Sequence, residues 1–220
     1  MSIKAFIFDL DGTLIDTEKI YRRAWPAAVR EMGYEMSDEL FLSFRSLGRP
    51  FVYDKFREAF GEDFDYDKAR RLRKPIFDEI VKNEGISLKP GAVELLGFLR
   101  ERGIVTAVAT ATDGARAHDY MKMVGLNDYV DKLISARMVE EGKPSPMVYE
   151  YACSELGLSP SECVAVEDAP NGIKSAHAAG LRVIMVPDLT GPDEELLPLL
   201  WKRMDSLFEI ETYLEKYATF

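Results

Sequence analysis

The sequence predicts an α/β fold: a doubly wound parallel sheet carrying an inserted α-helical domain. Three observations carry that prediction. Five short apolar runs occur at residues 3–10, 104–109, 132–136, 163–167 and 182–186. Each is continuous rather than alternating, as expected of strands buried on both faces. Helical patterns separate the later runs, at 90–102, 115–124, 146–156 and 172–179, and Gly103, Gly125, Gly157 and Gly180 follow them where a C-terminal cap belongs. Alternation of this kind builds one parallel sheet with helices on both faces. Finally, residues 16–86 contain no strand-like run, yet hold twelve of the 24 Phe, Trp and Tyr residues.

The first run ends in two close aspartates, Asp9 and Asp11, and a turn at Gly12. The long segment after it reads as four helices, at 17–32, 38–44, 50–60 and 66–83. A crossover this long is unusual inside a compact sheet. Its 14 basic and 15 acidic residues give a net charge of −1, against −9 for the remainder. The expected division is a core of residues 1–15 and 87–220 and a helical domain of residues 16–86. The basic stretch "ARRLRK" at 69–74 reads as a solvated helix face. Beyond residue 193 the pattern gives a helix, a short strand at 204–208 and a final helix.

Composition narrows the function. A net charge of −10 argues against sequence-independent binding to nucleic acid. No apolar stretch approaches the roughly 20 residues needed to span a bilayer, and the first residues lack a secretory signal pattern. Cys153 and Cys163 are too few for a disulfide framework, fit a reducing cytoplasm and read as packing residues. With only His118 and His177 beside them, both read as structural, a cysteine-based zinc site is not expected. A monomer is expected.

In an open parallel sheet, chemistry collects outside the carboxyl ends of the strands. There the sequence supplies Asp9 and Asp11, then Thr110 in "VATATD", Lys143 in "EEGKPSP", and Glu167 with Asp168 in "AVEDAPNGI". Singly, each is more often structural: Asp caps turns, Glu-Asp caps helices, and Lys-Pro marks a solvated loop. Their recurrence after successive strands raises the functional reading. Four acids on one rim require a cation, and oxygen-only ligands favour a hard divalent ion, Mg²⁺ above others. Thr110, Lys143 and the backbone N–H groups following Asp9 and Thr110, the latter on Ala111, suit a phosphate group. An aspartate can then attack phosphorus, and a second carboxylate can serve as general acid and base.

These motifs resemble those of the haloacid dehalogenase superfamily over nearly the whole chain. "DLDGTLID", "VATAT", "GKPSP" and "VEDAPNGI" match its four motifs in order. The resemblance implies a Rossmann-like core with a mobile helical cap. It implies Asp9 as nucleophile and Mg²⁺ ligand, and Asp11 as general acid/base that ligates through its backbone carbonyl. Thr110, Ala111 and Lys143 would bind phosphate. Asp168 would ligate the metal directly, and Glu167 directly or through water. An aspartate at position 11 is similar to the phosphate-ester enzymes of the superfamily. "DTEKIYRRAW" resembles the opening cap helix of the β-phosphoglucomutase-like branch, which includes sugar-phosphate phosphatases. Tyr21 stands where the mutases carry a histidine and Asp113 where they carry a lysine. Arg49 falls where the branch places a cap arginine that can meet a second phosphate; Tyr21 is the other cap residue expected to face substrate. The expected activity is a Mg²⁺-dependent phosphatase acting on a small phosphorylated metabolite. A phosphomutase is the alternative, and a non-catalytic phosphometabolite sensor the third reading.

Overall fold

The computed structural model describes residues 3–217. Its centre is a six-stranded sheet in the order β3-β2-β1-β4-β5-β6, with every neighbouring pair parallel. The strands are β1 (Ala5–Phe8), β2 (Val105–Thr110), β3 (Lys132–Ser135), β4 (Cys163–Glu167), β5 (Arg182–Met185) and β6 (Lys202–Arg203). Strand β1 is central because both of its faces are apolar. Phe6 and Phe8 join the core on one side, and Ala5 and Ile7 join the core on the other. Register aligns Phe8 with Val108 and with Val166, so the ends of β1, β2 and β4 open onto the same rim. The chain order reverses between β1 and β4, which makes the crevice above them the ligand-binding position of such sheets.

Helices α5 (Ala92–Glu101), α6 (Gly114–Met123), α7 (Met147–Leu156) and α8 (Pro170–Ala178) connect the strands. All four glycines expected beyond them adopt positive φ, at +65°, +76°, +66° and +83°. The tail differs from expectation. Residues 204–208 form no strand; Lys202–Arg203 pairs with β5 instead. Leu207, Ile210 and Leu214 recur at helical spacing, so burial draws 207 onward into α9 (Leu207–Tyr217). The expected preceding helix is reduced to a 3₁₀ turn at Leu197–Leu199. Residues 1–2 of the expected core and 218–220 of the final helix lie outside the described residues.

Four helices stand between β1 and α5: α1 (Glu18–Arg30), α2 (Asp38–Ser43), α3 (Phe51–Phe60) and α4 (Tyr66–Glu84). Aromatic packing joins them. The Trp25 ring lies 5.5 Å from Phe44, 5.2 Å from Phe56 and 5.7 Å from Tyr66. The two ends of this segment meet: Asp16 N donates to Ser87 O at 2.9 Å, and Ile15 bridges Leu88. A second junction lies after α2. Gly48 N donates to Lys143 O, and Gly142 N to Arg49 O, each at 2.7 Å. The backbones approach so closely that a Cβ on Gly48 would sit 2.6 Å from Gly142 Cα. Among the described residues, no helix is long and apolar enough to cross a membrane.

Candidate active site

The turn after β1 starts the site. Asp9 N donates to Val166 O at 2.9 Å, which fastens the first aspartate to the end of β4. Gly12, at φ +87°, reverses the chain, and a Cβ there would meet Asp168 Oδ2 at 2.7 Å. Only glycine fits both the dihedral and the space.

Lys143 is fully buried between two carboxylates. Its Nζ donates to Asp9 Oδ1 at 2.5 Å, Glu167 Oε1 at 2.6 Å and Ala109 O at 2.9 Å. Tyr149 OH donates to the same Glu167 oxygen at 2.6 Å. The second oxygens, Asp9 Oδ2 and Glu167 Oε2, are buried with no hydrogen-bond partner. Oxygens of Asp9, Glu167 and Asp168 all lie within 4.8 Å of one another. Orphaned buried carboxylate oxygens are costly unless a cation meets them. The residues present therefore fit a hard divalent metal: oxygen donors, converging, unsatisfied, and cradled by glycines.

Electrostatics agree. Burial, with the nearby Glu167, Asp168 and Asp11 charges, holds Asp9 well above the usual carboxylate range despite Lys143. Burial and then Glu167 push Asp168 up to about 8, against the pull of Arg45. Burial works to lower the Lys143 ammonium, but Asp9 and Glu167 outweigh it and hold it above its ordinary value. The cluster has more negative charge than its own side chains neutralise.

Asp11 is held separately. Thr17 Oγ1 donates to Oδ1 at 2.6 Å, and Thr112 Oγ1 to Oδ2 at 2.8 Å. Thr110 Oγ1 is 3.4 Å from Oδ2 and accepts from Thr112 N at 3.0 Å. Asp9, Asp11, Ala111 and Thr112 line one side of a cleft of ≈ 110 Å³, and Tyr21, Trp25 and Arg73 line the other. Thr110, Lys143, Glu167 and Asp168 lie just beneath it, fully buried.

Three placements depart from the sequence reading. Arg49 does not line the cleft; it pairs with Asp67 at 2.9 Å and lies over Tyr53. Its neighbour Arg45 is the buried one: Nη1 reaches Asp168 Oδ2 at 3.3 Å, and Nη2 bonds Thr190. The solvated face at 69–74 holds for Arg71 and Lys74, whereas Arg70 and Arg73 turn into the cleft. Glu18, also unanticipated, is buried in the cleft wall, where burial and then Asp168 and Asp11 raise its pKa well above the carboxylate range. His118 and His177 lie away from the cleft, against Asn127 and Leu199 O respectively.

The comparisons with known proteins are consistent with this geometry. The family profile described as haloacid dehalogenase-like hydrolase matches residues 3–180. Hexitol phosphatase A of Escherichia coli is 37% identical over 186 residues, covering 84% of each chain. Protein CbbY of Rhodobacter capsulatus is 34% identical over 201 residues, covering 85% of this chain and 86% of its own. The crystal structure of CbbY from Rhodobacter sphaeroides in complex with phosphate superposes with a TM-score of 0.80 at 28% identity, covering 94% of this chain and 96% of that one.

Proposed function

Because the chain belongs to the haloacid dehalogenase-like hydrolases, and is a phosphatase of that family, we propose that it hydrolyses a small sugar or polyol phosphate through an aspartyl-phosphate at Asp9. The observation that carries the reading is the state of Asp9. One oxygen is pinned by Lys143 at 2.5 Å while the other is buried and unpartnered, and the residue lines the cleft.

Asp9 Oδ attacks phosphorus, and the bond from phosphorus to the ester oxygen breaks. Asp11 gives its proton to the departing oxygen. In the second half, Asp11 takes a proton from water, whose oxygen displaces Asp9 and releases inorganic phosphate. The hydroxyls of Thr17 and Thr112 fix both Asp11 oxygens, so the proton is exchanged at a defined position. Lys143 favours the ionised form of Asp9 against the effect of burial and offsets charge on the transferred group. Thr110 and the Ala111 N–H bind its oxygens. Asp9, Asp168, Glu167 and the Asp11 backbone carbonyl would hold Mg²⁺. When bound, the cation neutralises phosphate charge and lets the carboxylates remain ionised. Residues 16–86 act as a cap over a core of residues 1–15 and 87–220, hinged where Asp16 meets Ser87, and exclude water when closed.

The experiment is phosphorus NMR of the protein with Mg²⁺ and a panel of sugar and polyol phosphates. Growth of inorganic phosphate is expected, with none from Asp9→Asn at retained folding. Undiminished turnover by Asp9→Asn would remove the mechanism. Isomerisation of β-glucose 1-phosphate to glucose 6-phosphate, without free phosphate, would identify a mutase instead.

A further inference from the structure

Asp168 differs from the other two carboxylates of the acidic cluster. Asp9 and Glu167 each keep one buried oxygen without a hydrogen-bond partner. Both oxygens of Asp168 are engaged: Thr13 Oγ1 donates to Oδ1 at 3.4 Å, and Arg45 Nη1 to Oδ2 at 3.3 Å. Arg45 comes from the helical segment. Among the described residues, two ion pairs join residues 16–86 to the rest of the chain. In one, Arg116 with Asp78, the Asp78 side chain is 51% exposed. In the other, the side chains of Arg45 and Asp168 are 1% and 0% exposed.

The backbone around Arg45 is seated at the same place. Asn171 Nδ2, in the first turn of α8, donates to Arg45 O at 2.8 Å and to Ser43 O at 3.3 Å. The 2.7 Å bonds from Gly48 N to Lys143 O and from Gly142 N to Arg49 O close the far end of the loop. Residues 43–49 therefore dock on the segments that carry Asp168 and Lys143, and the Arg45 charge is the part of that dock that meets the acidic cluster. Arg45 Nε is buried with no hydrogen-bond partner, and Asp168 is the carboxylate at ion-pair distance from the guanidinium.

A buried guanidinium that loses its counter-charge is costly. A divalent cation at Asp168 draws on the same carboxylate and adds like charge beside Arg45. Two cations that share one carboxylate oppose each other, and the opposition is reciprocal. We infer that Arg45 couples the docking of residues 43–49 to the metal site with negative sign: the docked loop weakens Mg²⁺ at Asp168, and Mg²⁺ loosens the docked loop. Metal therefore loads best while the loop is undocked. The inference rests on the metal reading of Asp9, Glu167 and Asp168, and its test does not need turnover.

The test is Mg²⁺ titration of the nitrogen-labelled protein, without substrate, followed by amide-resolved NMR. Shifts of the amides beside Asp168 give the dissociation constant. Arg45→Met is expected to bind Mg²⁺ about tenfold more tightly than wild type, and Arg45→Lys, which keeps the charge, should stay near wild type. A merely loosened fold would weaken binding in both variants, so the sign separates charge from structure. In the wild-type protein, hydrogen exchange at Gly48 and Gly142 should speed up about tenfold on saturation with Mg²⁺, by reciprocity. Lys89 N, bonded to Leu14 O at 2.9 Å outside the dock, should not change. This second measurement needs no variant. Equal or weaker Mg²⁺ binding by Arg45→Met, or unchanged or slowed exchange at the two glycines, would overturn the inference and leave the metal reading intact. Failure of the wild-type protein to bind Mg²⁺ would remove both. Coupling of this sign without phosphate release from any ester would leave the inference standing and remove the phosphatase reading.

Discussion

Replacing Gly172 by alanine should destabilise the protein, although glycine-to-alanine in a helix interior ordinarily gains about 1 kcal/mol. Gly172 lies in the first turn of α8, and a Cβ there would meet Glu167 Oε1 at 2.0 Å, Cδ at 2.1 Å and Oε2 at 2.2 Å. The carboxylate has no room to swing away. Lys143 and Tyr149 both hold Oε1 at 2.6 Å, and the residue is wholly buried. Turning it aside gives up hydrogen bonds to a charged group, worth roughly 1.5–3 kcal/mol each. Moving the helix instead costs about 1–3 kcal/mol, as overpacked cores do. After the propensity gain of about 1 kcal/mol, the cheaper route leaves a net loss of about 1 kcal/mol and at most about 2, which lowers the thermal midpoint of a chain this size by roughly 2–4 °C and at most about 8 °C. Denaturant unfolding in chelator of wild type, Gly172→Ala, Glu167→Ala and the double variant isolates the cause. The alanine should cost little once Glu167 is truncated, a coupling of about 1–3 kcal/mol. Equal cost in both backgrounds, or a Gly172→Ala protein as stable as wild type, would refute the steric argument.

Other expectations follow from the same geometry. Burial and the nearby Glu167 charge hold Asp168 up at about 8, far above the ordinary aspartate value of about 4. A raised acid contributes stability that is fully present below about pH 4 and lost as pH rises through about 8. In chelator, the midpoint should therefore fall over that window, and the stabilisation by Mg²⁺ should widen; a pH-independent Mg²⁺ shift in differential scanning calorimetry would contradict it. Lys143→Met leaves Asp9 and Glu167 facing each other, and should cost about 3–5 kcal/mol without metal and at least about 100-fold in kcat; urea melts and phosphate release measure the two. Gly48→Ala pushes a methyl into Gly142 backbone, which has no side chain to yield. It should break the two 2.7 Å bonds at that junction, at about 1 kcal/mol each, and expose residues 45–49 to protease. Unchanged cleavage there would mean the junction adapts.

The strand ends and the acid-bearing turns were legible because short-range rules govern them. A buried parallel strand is a continuous apolar run, and Gly103, Gly125, Gly157 and Gly180 mark helix ends by dihedral need alone. Arg45 was not legible. It meets Asp168, 123 residues away, and no spacing within "SFRSLG" reports that reach. Tyr149 was not legible either, because its hydroxyl finds Glu167 only through where β4 ends. Lys202–Arg203 is too short an edge strand to leave a period. Arg73 did leave a signal. It shares a four-residue spacing with Ala69 and Phe77, both fully buried, so the stripe pointed inward while the charge run suggested solvent.

The position of Trp25 gives the molecule an optical reporter. The sequence has two tryptophans. Trp25 is in the cleft wall beneath the Arg73 guanidinium, whereas Trp201 packs against Tyr213 near the sheet edge. Indole emission depends on the charges and water around the ring. An anion drawing Arg73 off that ring, or a cap lifting away, changes the light from one chromophore and leaves the other as an internal standard. Occupancy of the cleft can thus be followed in real time, on the unlabelled protein, without waiting for chemistry.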